Sequence, residues 1–202
     1  MKKILLVFIA LFSLALYASA FTKESAKVAD FGTKTPLTIE FIIDTKMLEE
    51  ITVEEIEKTV FQITGIANDA FSPQIGRYLA IAKITYDEGL PAEINKNIVL
   101  DERVLWWLLA RHKNTDLTVF LTQRPLTHKG FIAVGIGSEG GGASMITLNS
   151  DLTISVNILL HEIGHNCGAQ HSDDTNSLMH KAASRNLTYD KESLKIIKEN
   201  CG

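Results

Sequence analysis

Residues 161–171 read HEIGHNCGAQH, and no other stretch restricts this chain so strongly. On a helix, His161 and His165 are four residues apart and stack on one face, so both imidazoles can reach the same metal ion. Glu162 projects beside that ion from a neighbouring part of the face. Gly168 permits the left-handed turn that ends a helix, a conformation that a residue with a Cβ resists. The chain can then double back and bring His171 in as a third nitrogen donor. Three His leave the fourth position of tetrahedral zinc open to water, the arrangement of a catalytic site rather than a closed structural one. In a chain of this composition the five fixed positions would match by chance only about 2 × 10⁻⁵ times, so a solvated surface helix is a poor account of them.

The run fits H-E-x-x-H-x-x-G-x-x-H and so resembles the metzincins, zinc peptidases that also carry a Met-turn. Met179, eight residues past His171 within Ser177-Leu178-Met179-His180, looks like that turn. HEIGHN is similar to the adamalysin (reprolysin) branch, whereas the short spacing from third His to Met is more similar to the matrixins. The clan follows from the resemblance; the subfamily does not.

A single globular domain suits 202 residues that are 46% hydrophobic. Met1-Lys2-Lys3, an apolar run from Ile4 to Tyr17 and Ala18-Ser19-Ala20 have the three parts of a secretory signal peptide, with cleavage expected after Ala20. The apolar run is shorter than the ~20 residues a bilayer span needs, and no later segment is long and apolar enough to span. Loss of Lys2 and Lys3 takes the formal charge from −4 to −6. That acidic balance, with no Lys/Arg cluster, argues against nucleic acid as a partner.

Export leaves two readings of the only cysteines. Cys167 and Cys201 form a disulfide, or they are a buried thiol and a loose tail thiol; the even pair favours the disulfide.

Phe21 to Pro36 reads as a polar surface lead-in, too short for a folded pro-domain. It holds no Cys, so a matrixin-type cysteine switch is absent, and Asp30 is expected to be solvated rather than on the metal. From Leu37 the chain reads as one catalytic domain, with an upper part to about 168 and a lower part at 169–202. Leu37–Ile43, Arg77–Tyr86, Leu117–Thr122, Phe131–Ile136 and Ala143–Leu148 are expected strands, the third fully apolar and central. Thr52 opens a helix with Glu55 in a capping box. That helix runs to about Ala70, with Ile56, Val60, Ile63 and Ile66 along one side. A second helix covers Asp101–His112, burying Val104, Leu105, Leu108 and Leu109; Trp106 and Trp107 are expected to pack, and His112 to cap or be solvated. Asn149, Ser150 or Asp151 caps the motif helix, which is anchored by Val156, Leu159, Leu160 and Ile163. A last helix spans about Lys191–Glu199, with Leu194, Ile196 and Ile197 inward. Gly137 to Gly142 is a flexible connection.

This order is what the metzincin resemblance implies: an α/β (α+β zincin) fold with a twisted five-stranded mixed sheet, two backing helices, an active-site helix and a small C-terminal subdomain. The resemblance also implies a zinc endopeptidase, with Glu162 as general base and one catalytic Zn2+ on His161, His165 and His171; the signal-like segment makes it an exported one, secreted or periplasmic. Met179 is then an apolar floor beneath the imidazoles. An extended peptide lies along the edge strand 131–136, where Gly135 allows close backbone approach. The pocket beyond the scissile bond is walled by the motif helix and residues 175–184, with Ala182 and Ala183 making it roomy. Some branches place a Tyr two residues after the Met as a further ligand; Lys181 stands there, and Tyr189 is too far along to inherit the role.

Asp173 and Asp174 read as solvated turn acids, His180 as turn structure and His128 as solvated. The loop that holds structural zinc and calcium in matrixins is replaced by glycines and Glu139, so neither a second zinc nor calcium is expected. A monomer is expected. The competing reading is a zinc-binding interaction protein without catalysis, against which the intact Glu162 counts; a narrow processing peptidase is a variant of the first reading.

Overall fold

The computed structural model describes residues 35–87, 90–111 and 114–202, which belong to one compact unit. The signal-like segment 1–20, nearly all of the lead-in with Asp30, and His112 lie outside the described residues.

Alternating and continuous apolar runs build five strands of one sheet: β1 Leu37–Ile43, β2 Leu79–Tyr86, β4 Leu117–Thr122, β7 Gly135–Gly137 and β8 Ala143–Thr147, in the order β2-β1-β4-β8-β7. The first four in that order run parallel, and β7 is antiparallel to β8 at the edge. All six residues of β4 are buried, as a central strand covered on both faces requires. One face is covered by α1 Val53–Ile75 and by α4 Leu152–Asn166, the helix that carries the motif. On the other face α3 Glu102–Arg111 packs Val104, Leu105 and Leu108 against Phe120, Met145 and Ile136. The last helix, α5 Lys191–Cys201, joins the first core through Ile197.

Several local expectations are corrected. α1 starts from the Thr52–Glu55 capping box but continues past Ala70, through Pro73, to Ile75. Phe71 and Ile75 extend its apolar stripe into the core, and that burial outweighs the one backbone bond Pro73 cannot make. β2 starts at Leu79 rather than Arg77, because the chain is still leaving the left-handed cap of α1 at Gly76, φ 83°; the Arg77 guanidinium has another task. It donates to the carbonyls of Thr35, Pro36 and Cys201, fastening the start of β1 to the end of α5.

The expected strand 131–136 is two strands. β6 Phe131–Ala133 pairs with β5 Leu126–His128, which pairs with β3 Leu100–Asp101 in a small second sheet; β7 follows a bend at Val134. The short helix α2 Ala92–Asn95 precedes that sheet. Trp107 is partly buried beneath the Arg111 guanidinium, whereas Trp106 is exposed rather than packed.

Asp44 follows β1, and its carboxylate is buried against Arg124, with Nε–Oδ2 at 2.6 Å. Thr122 Oγ1 also donates to it, and Arg124 Nη1 donates to the carbonyls of Asn95 and Asn97. This pair ties the ends of β1 and β4 to the segment ahead of the small sheet, a long-range contact that no local pattern announces.

Cys167 and Cys201 are disulfide-bonded, joining the end of α4 to the last turn of α5. Asn200 Nδ2 donates to the Cys167 carbonyl alongside. In the chain-entropy picture, closing a loop of this length contributes about 3–4 kcal/mol. Cys201→Ser is therefore expected to lower the denaturant-unfolding free energy by about that amount. An unchanged midpoint and slope would show that the hydrogen bonds of Arg77 and Asn200 hold the end of α5 unaided.

Candidate active site

α4 delivers the motif. Asp151 is its N-cap, accepting from the Thr153 N–H, and Arg185 holds the second carboxylate oxygen. Val156, Leu159, Leu160 and Ile163 are fully buried, so the opposite face of the helix presents His161 and His165 to the cleft. The helix ends as expected at Gly168, with φ +90°. The Gly168 N–H donates to the His165 carbonyl and the Ala169 N–H to that of Gly164, the paired bonds of a Schellman ending. The reversed chain brings His171 back to the helix.

The three rings converge. Their ligating nitrogens all lie within 4.8 Å of one another, and Nε2 of His165 and Nε2 of His171 are 3.2 Å apart. Two ligands of tetrahedral zinc, each at 2.0–2.1 Å, are separated by roughly 3.3 Å, so the spacing suits that ion. The orientation suits it too. His161 Nδ1 bonds the Leu178 carbonyl at 2.9 Å and His165 Nδ1 the Ala169 carbonyl at 2.8 Å. A carbonyl can only accept, so in both rings the proton is on Nδ1 and Nε2 keeps its lone pair for a metal. Burial pushes the His161 imidazole down to about 4 and lowers His165 and His171 as well, so all three are neutral donors at physiological pH. Three neutral imidazoles that leave a position open select a zinc-like cation over magnesium or calcium.

Glu162 is buried between the helix and the edge strand. Its Oε2 has no hydrogen-bond partner, and burial pushes its carboxyl up to about 8. Two glycines of β7 make room for it. A Cβ at Gly135 would collide with Glu162 Oε1, and one at Gly137 would stand 2.7 Å from Oε2. The space at Gly135, read in the sequence as room for a peptide, is taken up by the helix instead.

Met179 is fully buried under α4, as the turn requires. A Cβ at Gly164 would collide with its sulfur, so the glycine between the two helix histidines admits the Met floor. Sequence reasoning passed over Gly164, although a residue without a side chain inside a buried helix is itself a sign of close packing.

The lower segment is held to the helix by further buried groups that sequence reasoning missed. Asn157 Nδ2 donates to the Asn186 carbonyl, and its oxygen accepts from the Ser184 N–H. Tyr189, fully inside and far from a ligand role, donates from its hydroxyl to the Leu160 carbonyl. Asn166 lies among Ser138, Ala143 and Ser144, and the Gly140 N–H donates to the His165 carbonyl. The glycine-rich connection is thereby fastened to the end of the active-site helix.

His180 pairs with Ser172 in a short bridge and lines the cleft without joining the three-His cluster. His128 is at the cleft rim, 3.7 Å from Glu102. Asp173 and Asp174 are exposed, Asp174 capping its own turn. Among the described residues the three His are the one group of at least three side chains placed to hold a metal.

Asp190 supports the Met-turn from α5. Burial works to raise its carboxyl, but hydrogen bonds from the Ser177 hydroxyl and from the Ser193 N–H and hydroxyl outweigh it and hold it at about 2. A carboxylate depressed below its unfolded value of ~3.9 stabilises the fold above that pH and loses the contribution as pH falls through the folded value. Discounted for partial exposure, it is worth about 1 kcal/mol at pH 6. Asp190→Asn should thus destabilise by about that much at pH 6 and by about half as much at pH 3. A pH-independent difference in paired denaturant titrations would assign the effect to helix capping alone.

Known structures share this architecture. Archaemetzincin from Methanopyrus kandleri aligns with a TM-score of 0.65 at 16% identity, over 84% of this chain and 97% of that one. Archaemetzincin from Archaeoglobus fulgidus, complexed with malonate, gives 0.55 at 15%, over 79% and 99%. A zinc-dependent peptidase from Methanocorpusculum labreanum gives 0.51 at 16%, again over 79% and 99%. At such identities these likenesses speak for the fold. A search of curated proteins returns no match. A five-stranded mixed sheet over a helix bearing H-E-x-x-H-x-x-G-x-x-H, with a buried Met beneath, defines a metzincin-clan zinc metallopeptidase. Residues 54–172 match the profile of Metallo-peptidase family M12B Reprolysin-like, more than half of the chain, and the protein belongs to that family. It is a zinc-dependent peptidase acting on peptide substrates. No helix among the described residues is long and apolar enough to cross a membrane.

Proposed function

We propose that the protein is an exported endopeptidase whose zinc is held by His161, His165 and His171 and whose general base is Glu162. The observation that carries this reading is the buried Glu162 carboxylate, with one oxygen unpartnered, next to a cluster of three imidazoles. When bound there, zinc supplies Lewis acidity that polarises a peptide carbonyl and makes water nucleophilic near neutral pH.

The chain's own residues do the rest. Glu162 accepts the proton of the attacking water and returns it to the leaving amine. Gly135 and Gly137 keep the β7 backbone against it. The outer edge of the run from Phe131 to Gly137 would receive an extended peptide through main-chain hydrogen bonds.

The cleft, about 810 Å³, passes the three His with walls on both sides, formed by Phe131 to Gly137 and by His180 to Ala183. A substrate that extends past the scissile bond in both directions suits such walls, which supports endo- over exopeptidase action. The signal-like segment and the disulfide support export. On this reading 37 to 202 is one catalytic domain, with an upper part to about 168 and a lower part at 169–202, acting as a monomer; the single compact unit formed by the described residues supports the one domain.

Metal analysis with hydrolysis of an unbiased peptide mixture tests this reading. Stoichiometric zinc with internal cleavages is expected. Zinc without any cleavage would leave a binding protein, and cleavage confined to chain ends would leave an exopeptidase.

A further inference from the structure

Building on the peptidase reading, we infer that this cleft selects substrates by bulky apolar side chains on one side of the scissile bond, through Phe131, Ile132 and Val134. Those residues are 77%, 88% and 46% exposed, three large apolar side chains within four positions. Single exposed apolar residues are ordinary, whereas a run lining a cleft marks a binding surface.

The run is presented by a built element. β5 and β6 form an antiparallel hairpin in which His128 pairs with Phe131. Its turn residues, Lys129 and Gly130, have φ of 50° and 82°, the two positive angles of a tight two-residue hairpin turn. β6 and β7 end the strand orders of their respective sheets, so this run is the edge of both.

Position along the edge sets which substrate residues are read. Gly135 is against Glu162, and an extended chain advances about 3.3 Å per residue. Ile132 and Phe131, beyond the bend at Val134, are therefore at most about three and four residue lengths from the base, within reach of the second to fourth residues from the cut of a peptide lying along this edge. The facing wall differs in chemistry: His180 and Lys181 are polar, and Ala182 and Ala183 are small. Large apolar side chains thus belong to the 131–134 run alone, on one side of Gly135.

The test is a cleavage-site profile of the zinc-loaded protein on a proteome-derived peptide library, followed by two matched peptides. One carries Leu or Phe and the other Ser or Gln at the selected positions. The profile should show large apolar residues enriched two to four positions from the cut on one side. The double variant Phe131→Ser, Ile132→Thr should lower the apolar-to-polar ratio of kcat/KM about 10-fold, the size expected when an apolar contact is lost from a binding pocket. Light scattering on both proteins accompanies the kinetics.

A flat profile, or an equal fall for both peptides, would overturn the inference while leaving the peptidase reading intact. So would loss of self-association as the variant's main effect, since the run would then be a face between copies. Absence of any cleavage by the zinc-loaded wild type would overturn both.

Discussion

Glu162→Gln is expected to retain one zinc per chain while kcat/KM on an internally cleaved peptide falls about 10³-fold or more. Gln matches Glu in size, so it fits the space that the missing Cβ atoms of Gly135 and Gly137 leave. The substitution removes the ability to take a proton and leaves the shape. General acid–base assistance supplies roughly 10²–10⁴-fold, and here one group serves both the attack and the departure of the amine. Zinc content by mass spectrometry, with kcat and KM measured separately, checks it. The loss should fall on kcat, because an interaction made only in the transition state has been removed. A rate within about tenfold of wild type at equal zinc would remove Glu162 from the chemistry.

His165→Ala is expected to abolish activity by another route, the loss of the ion. A structural zinc site with its four protein ligands binds with about 10–16 kcal/mol, so one ligand represents roughly 2.5–4 kcal/mol, or about two to three orders of magnitude in affinity. The variant should lose zinc on dialysis against a weak chelator under conditions where wild type keeps it. It should also lose the rise in melting temperature that zinc gives wild type, since a ligand at 1,000 times its Kd stabilises by about 4.1 kcal/mol. Together the two variants separate base from ligand: one retains metal without turnover, the other retains neither. Full zinc occupancy in His165→Ala would show that the ion is held elsewhere.

The parts of this site that could be read from the sequence are those fixed by short-range geometry. A four-residue helical spacing puts His161 beside His165, and Gly168 is the residue that tolerates the reversal bringing His171 back. The five-stranded sheet was equally accessible, because runs such as LTVFLT declare a strand covered on both faces. What escaped depends on contacts between distant positions. Asp44 and Arg124 are far apart in sequence and gave no local signal, nor did Asn157 and Tyr189, whose partners are backbone carbonyls in another segment. β3 has two residues and β5 three, too few for any period to show, so the small sheet was missed and the bend at Val134 with it. From its sequence α1 is expected to end near Ala70, but a helix whose next anchors, Phe71 and Ile75, reach the core can continue past, even through Pro73. Gly135 was rightly noticed for closeness, yet only the packed helix reveals that the neighbour is Glu162.

That contact has an engineering consequence. No side chain of β7 separates its backbone at Gly135 and Gly137 from the carboxylate of Glu162, so the rail on which a peptide would rest and the proton acceptor behave as one rigid part. The exposed side chains further along the rail, at 131, 132 and 134, can be exchanged to retune preference without disturbing the chemistry. Any graft that replaces the two glycines, however well it pairs with a substrate, would push the acceptor out of place.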